Sequence, residues 1–346
     1  MQRLKILAAC SSVVGALLLS GWSVVARLSA QTPVRGEVVS SSGVISPIVT
    51  NYDRTLAFYG GLLGLQSPPP RTISAKDTPF PVLLNLQGLP EARMKWSRVT
   101  IPGTTWWSEP LEYGDIDRQP VQPRLQDPGV ATTILYVRDV DGLLARLKKA
   151  GTPVVTPGLS PVQAAFGVTK GRAILVRDPD GYLVELVQPA TVAADAPAAD
   201  VIGAGVRLTI GDTERTMRVY RDIMGFQPHV GSFVRNEGYA ALTGVNAEVK
   251  LTTAQVPGEP RLTFEFVEFR GLDRKPMRTR IQDPGSMKFQ FVVRNVDAAA
   301  AKLTSAGGTI VSVNGKQVNL GAAGPHIIVR DPNNFYLILQ QQPQPK

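Results

Sequence analysis

Hydrophobic positions along this chain change period in a repeating order. The run GVISPIVT, from Gly43, has the apolar density of a strand, and Tyr52, Leu56, Tyr59 and Leu63 then recur at helical spacing until Gly64 ends the segment. Short β-rich runs follow. TTILYV, from Thr132, restarts the cycle as a strand, and Val140, Leu143, Leu144 and Leu147 make a helix face closed by Gly151. VVTP, RAILVRD and YLVELVQ complete it. Each half is therefore β-α followed by several β. DPDG reads as a hairpin turn with Pro179 and Gly181 in turn-favouring roles.

The whole pattern then occurs again. LEYGDIDRQP (from Leu111) matches VEFRGLDRKP (from Val267), and RLQDPG (from Arg124) matches RIQDPG (from Arg280), both at an offset of 156 residues. LYVRDVD falls onto FVVRNVD at the same offset, and TLAFYGGLLGL echoes TMRVYRDIMGF. Between the copies lies the Ala/Asp/Pro stretch ATVAADAPAAD, residues 190–200, which reads as a linker. The prediction is an α+β chain of two homologous domains in tandem, residues 40–189 and 201–342, each made of two β-α-β halves.

Composition adds bounds. At 346 residues, 43% hydrophobic and 19% charged, the chain is too long for one typical core, which agrees with two domains. Residues 1–30 differ in character: Arg3 and Lys5 precede ILAACSSVVGALLLSGWSVVA, and LSA follows, the pattern of an export signal cleaved near Ala30. That predicts a periplasmic or extracellular protein. An uncleaved signal would instead be a membrane anchor, since the run approaches the roughly 20 residues of a bilayer span. Cys10 is the sole cysteine, so a cleaved chain has no disulfide and no thiolate metal site. Of the formal +9, Arg3, Lys5 and Arg27 account for three, leaving +6. Without a Lys/Arg block this gives no support to nucleic-acid binding and instead favours small anionic partners. No GxGxxG, P-loop, GxSxG, HExxH or CxxC motif occurs.

The FY..LLG helix end, the VRDVD..LARLKKAG strand-helix unit and the RDPDGYLVEL hairpin, in that order and twice over, resemble the vicinal oxygen chelate superfamily of glyoxalases, bleomycin-resistance proteins and extradiol dioxygenases. The resemblance covers nearly the whole chain after residue 40. It implies paired βαβββ modules whose sheets curl around a cavity, and a divalent metal held by side chains from the first and last strands of the modules. The family's histidine positions fall on Val44, Thr132, Gly205 and Lys288, and its last-strand glutamate on Glu185 and Ile338. For the acidic residue that glyoxalases carry at the end of the first module, the nearest matches are Glu112 and Glu268.

On that alignment the expected catalytic pair is Glu185 with Glu112, able to bind a divalent ion such as Mg²⁺ or Ca²⁺ with Thr132 and water, or to share a proton for acid-base work. Glu185 leads that set as the expected metal ligand; the plain alternative is that it pairs with an arginine. The second domain is expected to hold no metal. There Lys288 can take over the charge role of a missing ion, pairing with Glu268 or an anionic ligand, unless it snorkels to solvent. Arg207, on the strand face of Gly205, joins Thr132, Lys288 and Glu268 as an expected ligand-binding residue. His229 and His326 occupy no ligand position and are expected at the surface or hydrogen-bonded. Trp106 and Trp107 face opposite ways in a strand, so core packing takes at least one, while the other can line the cavity. The reading is an exported protein binding a small organic, anionic ligand beside a degenerate metal site. A metal-dependent lyase, isomerase or dioxygenase and a non-catalytic envelope scaffold remain the alternatives, and whether the chain is an enzyme stays open.

Overall fold

A computed structural model describes residues 36–40, 44–76, 82–167 and 169–343. The export-signal expectation for residues 1–30 lies outside the described residues. No described helix is long and apolar enough to cross a membrane.

Four modules follow one another. The first holds β1 (Val38–Ser40), β2 (Val44–Pro47), α1 (Tyr52–Leu56), β3 (Arg71–Ser74), α2 (Val82–Leu86), β4 (Arg93–Trp96), β5 (Val99–Thr100), β6 (Trp107–Ser108) and β7 (Leu111–Gly114). The second holds β8 (Ala131–Val137), α3 (Val140–Lys149), β9 (Val162–Phe166), β10 (Thr169–Arg177) and β11 (Leu183–Pro189). In the third are β12 (Val201–Ile210), α4 (Thr213–Met217), β13 (Gln227–Arg235), α5 (Glu237–Thr243), β14 (Glu248–Val256) and β15 (Glu259–Arg270). The fourth has β16 (Met287–Val293), α6 (Val296–Ser305), β17 (Thr309–Ile310), β18 (Val318–Asn319), β19 (Pro325–Arg330) and β20 (Tyr336–Gln341).

Local chemistry explains these elements. Asp139 and Asn295, matching residues of the repeated RDVD and RNVD, each cap the following helix by accepting from its first-turn amides. The predicted faces of α3 and α6 are buried, through Val140, Leu143, Leu144 and Leu147 and through Val296, Ala299, Ala300 and Leu303. After α1 the helix widens into a π-turn over Ala57–Leu62, repeated after α4 at Arg218–Ile223, so the helical spacing read from Tyr52 to Leu63 is not one regular α-helix. The RDP hairpins recur for a structural reason. Asp178 Oδ1 accepts from the amides of Asp180 and Tyr182, both at 2.9 Å, and Asp331 Oδ1 from those of Asn333 and Phe335, both at 2.8 Å.

Strand pairing crosses the repeats. One sheet runs β13-β14-β15-β12-β8-β11-β10-β9, uniting the second and third modules, and the other runs β17-β19-β20-β16-β2-β6-β5, uniting the fourth and first. The cavity expected within each repeat is thus built between repeats. We call these the inner and outer half-barrels. The reason is visible in the connections DRQP and DRKP. Their charges pair across the repeats: Arg124 with Asp273 at 3.0 Å and Arg280 with Asp117 at 2.9 Å. Buried Asp127 accepts from the Lys275 amide and Asp283 from the Gln119 amide, at 2.8 and 2.9 Å, so each connection satisfies the other's backbone.

The half-barrels share one core in which Trp106, Phe226, Phe264 and Phe291 meet at centroid distances of 5.6–6.2 Å. They differ at one strand. Where the third module runs β15 unbroken, Pro110 interrupts the first module between β6 and β7, because proline has no amide for the ladder. The piece beyond the break, β7, joins β3 and β4 in a separate three-stranded leaf.

Candidate functional site

Between that leaf, α2 and the outer sheet lies a cavity of about 930 Å³. Val44, Trp107, Gln290, Ile338, Gln340 and His326 line it from the sheet, and Leu86, Gln87, Trp96, Arg98 and Glu109 from the adjoining segments. Trp106, by contrast, is buried in the core, so the two tryptophans divide as their strand alternation implies.

Lys288 is fully buried behind this wall on β16, and its ammonium donates to Gln87 Oε1 at 2.7 Å and Tyr113 Oη at 2.8 Å. It does not snorkel. Burial pushes its pKa down to about 7, while the charge of nearby Glu109 pulls it back up. Burial raises the Glu109 carboxyl, opposed by Arg98, whose Nε lies 3.4 Å away, and by Lys288. Cross-strand from Lys288 stands Ser46, whose buried hydroxyl is close enough to Glu109 to favour its charge without a well-formed hydrogen bond.

His326 is hydrogen-bonded, as expected, but it is buried at the cavity instead of the surface, whereas His229 is exposed. Its Nδ1 lies 3.0 Å from the Gly324 carbonyl, and burial lowers its pKa. A carbonyl cannot donate, so the proton sits on Nδ1 and Nε2 of the neutral ring is an acceptor. Gln290 Nε2 donates to Gln340 Oε1 at 2.8 Å, and Gln340 pairs with His326 across β19–β20, which makes a polar row along the sheet wall.

The inner half-barrel is different. Arg207 on β12 donates through Nε to Glu265 Oε2 at 2.8 Å, sits 2.7 Å from it through Nη2, and binds Glu185 Oε2 through Nη1. Burial raises the Glu185 carboxyl despite the guanidinium beside it, and the two carboxylates keep Arg207 charged. The rings of Phe166 and Tyr239, stacked at 3.9 Å, lie 5.1 and 5.3 Å from the guanidinium. Gly167, at φ +65°, packs so closely that a Cβ there would meet Glu265 Oε1 at 1.8 Å.

The expected Glu185–Glu112 pair does not form, because the residues belong to different half-barrels. Glu112 accepts the Tyr52 amide at 2.8 Å with Arg93 at 3.8 Å, and Glu268 accepts the Thr213 amide at 2.9 Å with Lys250 at 3.4 Å. Both anchor helix starts, where a carboxylate meets unpaired amides and the positive end of the helix dipole. The Lys288–Glu268 pairing fails for the same reason. Thr132 is buried opposite Arg207 and away from the outer cavity. Carboxylates facing the sheet centres are instead Glu109 and Glu265, three residues earlier. Their signal was present in the repeat itself, since EPLEY and EFVEF carry both glutamates at one offset. Removing the helix anchor by Glu112→Ala is expected to cost about 1 kcal/mol. Urea unfolding checks this.

A divalent ion does not fit either centre as built. In the inner half-barrel a guanidinium already holds both carboxylates; in the outer, Ser46, Lys288 and Ile338 leave Glu109 as the one carboxylate. Among the described residues no group of three or more His, Cys, Asp or Glu side chains is arranged to hold a metal.

Two curled sheets made by pairing βαβββ modules across a tandem repeat, one enclosing an open cavity, define the class. The profile of the Glyoxalase/Bleomycin resistance protein/Dioxygenase superfamily matches residues 43–186 and 204–339, and the chain belongs to that family. Glyoxalase I from Zea mays is similar in fold, with a TM-score of 0.54 at 16% identity over 86% of this chain and 91% of that one. So is a putative dioxygenase from Bacillus subtilis subsp. subtilis str. 168, with a TM-score of 0.54 at 14% identity over 89% and 87%. No curated protein sequence matches the chain.

Proposed function

We propose that the protein binds a small planar organic anion carrying an O–H or N–H donor, in the cavity of the outer half-barrel, as an exported binder. The observation that carries this is the asymmetry between half-barrels: one is filled by side chains, while the other keeps about 930 Å³ next to a buried cation. Arg71 and Arg98 outnumber Glu109 on the lining, with buried Lys288 behind it on Gln87, and burial favours the neutral form of that glutamate. Trp96 and Trp107 give flat apolar walls for a planar ligand. Acceptor Nε2 of His326 suits a ligand donor. An exported location, periplasmic or extracellular, agrees with the N-terminal sequence, and the filled inner half-barrel suits a supporting role.

Titration of the full chain with 4-hydroxybenzoate, followed by tryptophan fluorescence, tests this. Saturable binding is expected, weakened by Lys288→Met and by His326→Phe, and weaker for 4-methoxybenzoate, which has no donor. Because Lys288 loses its proton near pH 7, affinity for the anion is expected to fall roughly tenfold, about 1.4 kcal/mol, between pH 6 and 8.5. A flat pH profile in wild type and Lys288→Met alike would remove the lysine from the binding site. No response to any aromatic carboxylate would remove the proposed ligand class.

A further inference from the structure

Two loop carbonyls fix the polarity of one wall of the outer cavity. In the turn between β18 and β19, Gly324 takes φ +75° and ψ −166°, a backbone conformation open to glycine. Its carbonyl accepts the Leu320 amide at 2.9 Å and faces His326, while the carbonyl of Ala323 faces Gln340. A carbonyl cannot donate, so each side chain that meets one of them must bring the proton.

Three adjacent strands carry the consequence across the sheet. On β16, β20 and β19, Gln290, Gln340 and His326 share the face that lines the cavity. Gln340 Nε2 meets the Ala323 carbonyl at 3.3 Å, so its Oε1 is left to face Gln290. Gln290 must then donate through Nε2, at 2.8 Å, and its own Oε1 remains an acceptor. His326 spends its Nδ1 proton on Gly324, which makes Nε2 the second acceptor. Among the described residues none donates to either atom. Gln290 leans toward β20 to reach Gln340, which narrows the roughly 10 Å between the backbones of β16 and β19.

We propose that the ligand of this cavity ends in a primary NH2 group, carried by a planar anion, whose two N–H bonds are divided between Gln290 Oε1 and His326 Nε2. The inference rests on the ligand class proposed above and narrows it. A hydroxyl has one proton and satisfies one acceptor, leaving the other covered by the ligand without a donor, and an acceptor so stranded costs more than the missing contact alone. An NH2 group satisfies both. Gln290 and His326 thus determine specificity, Gln340 positions Gln290, and the negative end of the ligand is left to Arg71 and Arg98.

The test titrates the full chain with 4-aminobenzoate and with 4-hydroxybenzoate, followed by tryptophan fluorescence. Wild type is expected to bind the amine roughly tenfold more tightly. Gln290→Met keeps the length of the side chain without its acceptor and is expected to bring the two ligands level. Equal affinities in wild type overturn the proposal, and so does a preference that Gln290→Met leaves intact. If circular dichroism shows that the variant folds poorly, 4-(methylamino)benzoate, with one N–H, is read on wild type instead. Affinity level with 4-hydroxybenzoate supports the count of donors, and affinity level with 4-aminobenzoate overturns it. Saturable binding of 4-hydroxybenzoate without preference for the amine removes the NH2 assignment alone, whereas no binding of either removes the ligand class and this inference with it.

Discussion

Replacement of Arg207 by methionine is expected to destabilise the protein by about 3–5 kcal/mol at pH 7.5, the largest loss from any single substitution considered. The change deletes no large volume; it leaves Glu185 and Glu265 buried beside each other without a cation. Their charges would need protons or water in a pocket whose Phe166–Tyr239 stack lies against the guanidinium that is removed. A sign follows for pH. In the variant the Glu185 carboxyl, already raised by burial, binds its proton more tightly folded than unfolded, so the deficit is smallest below its unfolded value and grows as pH rises. Guanidinium unfolding at pH 5 and 7.5 measures the difference. Combining Arg207→Met with Glu185→Gln and Glu265→Gln removes all three charges and is expected to return most of the loss, since a neutral buried set avoids the desolvation of ions. A triple variant no more stable than the single one would locate the penalty in packing.

Asp178→Asn is expected to act in the opposite direction. Burial and the neighbouring Asp180 push the Asp178 carboxyl up to about 7, against the Tyr59 hydroxyl and two backbone amides that favour its charge. With an unfolded value near 3.8, the folded state holds the proton more tightly. Its contribution to stability is therefore complete below about pH 4 and is lost as pH rises through about 7. Full ionisation removes on the order of 4 kcal/mol. Asparagine keeps an oxygen for the Asp180 and Tyr182 amides and offers its amide to the Tyr59 oxygen. The variant is thus expected to match wild type near pH 4 and to exceed it by roughly 2–4 kcal/mol at pH 8.5. Equal pH profiles for the two proteins would show that Asp178 stays ionised in the fold. Asp331, pushed up to about 6 by burial, predicts the same behaviour on a smaller scale for the second hairpin.

What the sequence displayed follows from what local chemistry controls. Helix caps, hairpin turns and the offset of the repeat depend on residues close in the chain, and Asp139, Asn295 and the two RDP turns behave as their spacing implies. Module pairing was not legible, because a β-α-β half has the same alternation whichever half it joins. Only exchanged contacts such as Arg124 with Asp273 and Arg280 with Asp117 distinguish the arrangements. For the candidate site, the face of Arg207 could be read from strand alternation, whereas its carboxylate partners come from strands on either side. Glu112 and Glu268 are the nearest matches to the acidic residue that the family carries at the end of the first module, and they repeat because two helices need the same anchor. Glu109 and Glu265 repeat equally, but nothing local tells a carboxylate at a sheet centre from one at a helix start three residues on.

The cross-repeat pairing also orders assembly in time. In the inner half-barrel the central ladder joins Thr132 to Arg207, whereas the outer one joins Ser46 to Lys288. These separations are roughly 75 and roughly 240 residues, so the shorter loop closes first on entropic grounds. The cavity of the outer half-barrel then becomes the last part of the molecule to exist. During synthesis its two halves lie at opposite ends of the chain, and β2 must wait for β16 to emerge. Until then the half-barrel locked by Arg207 serves as the folded anchor that keeps those ends within reach of each other.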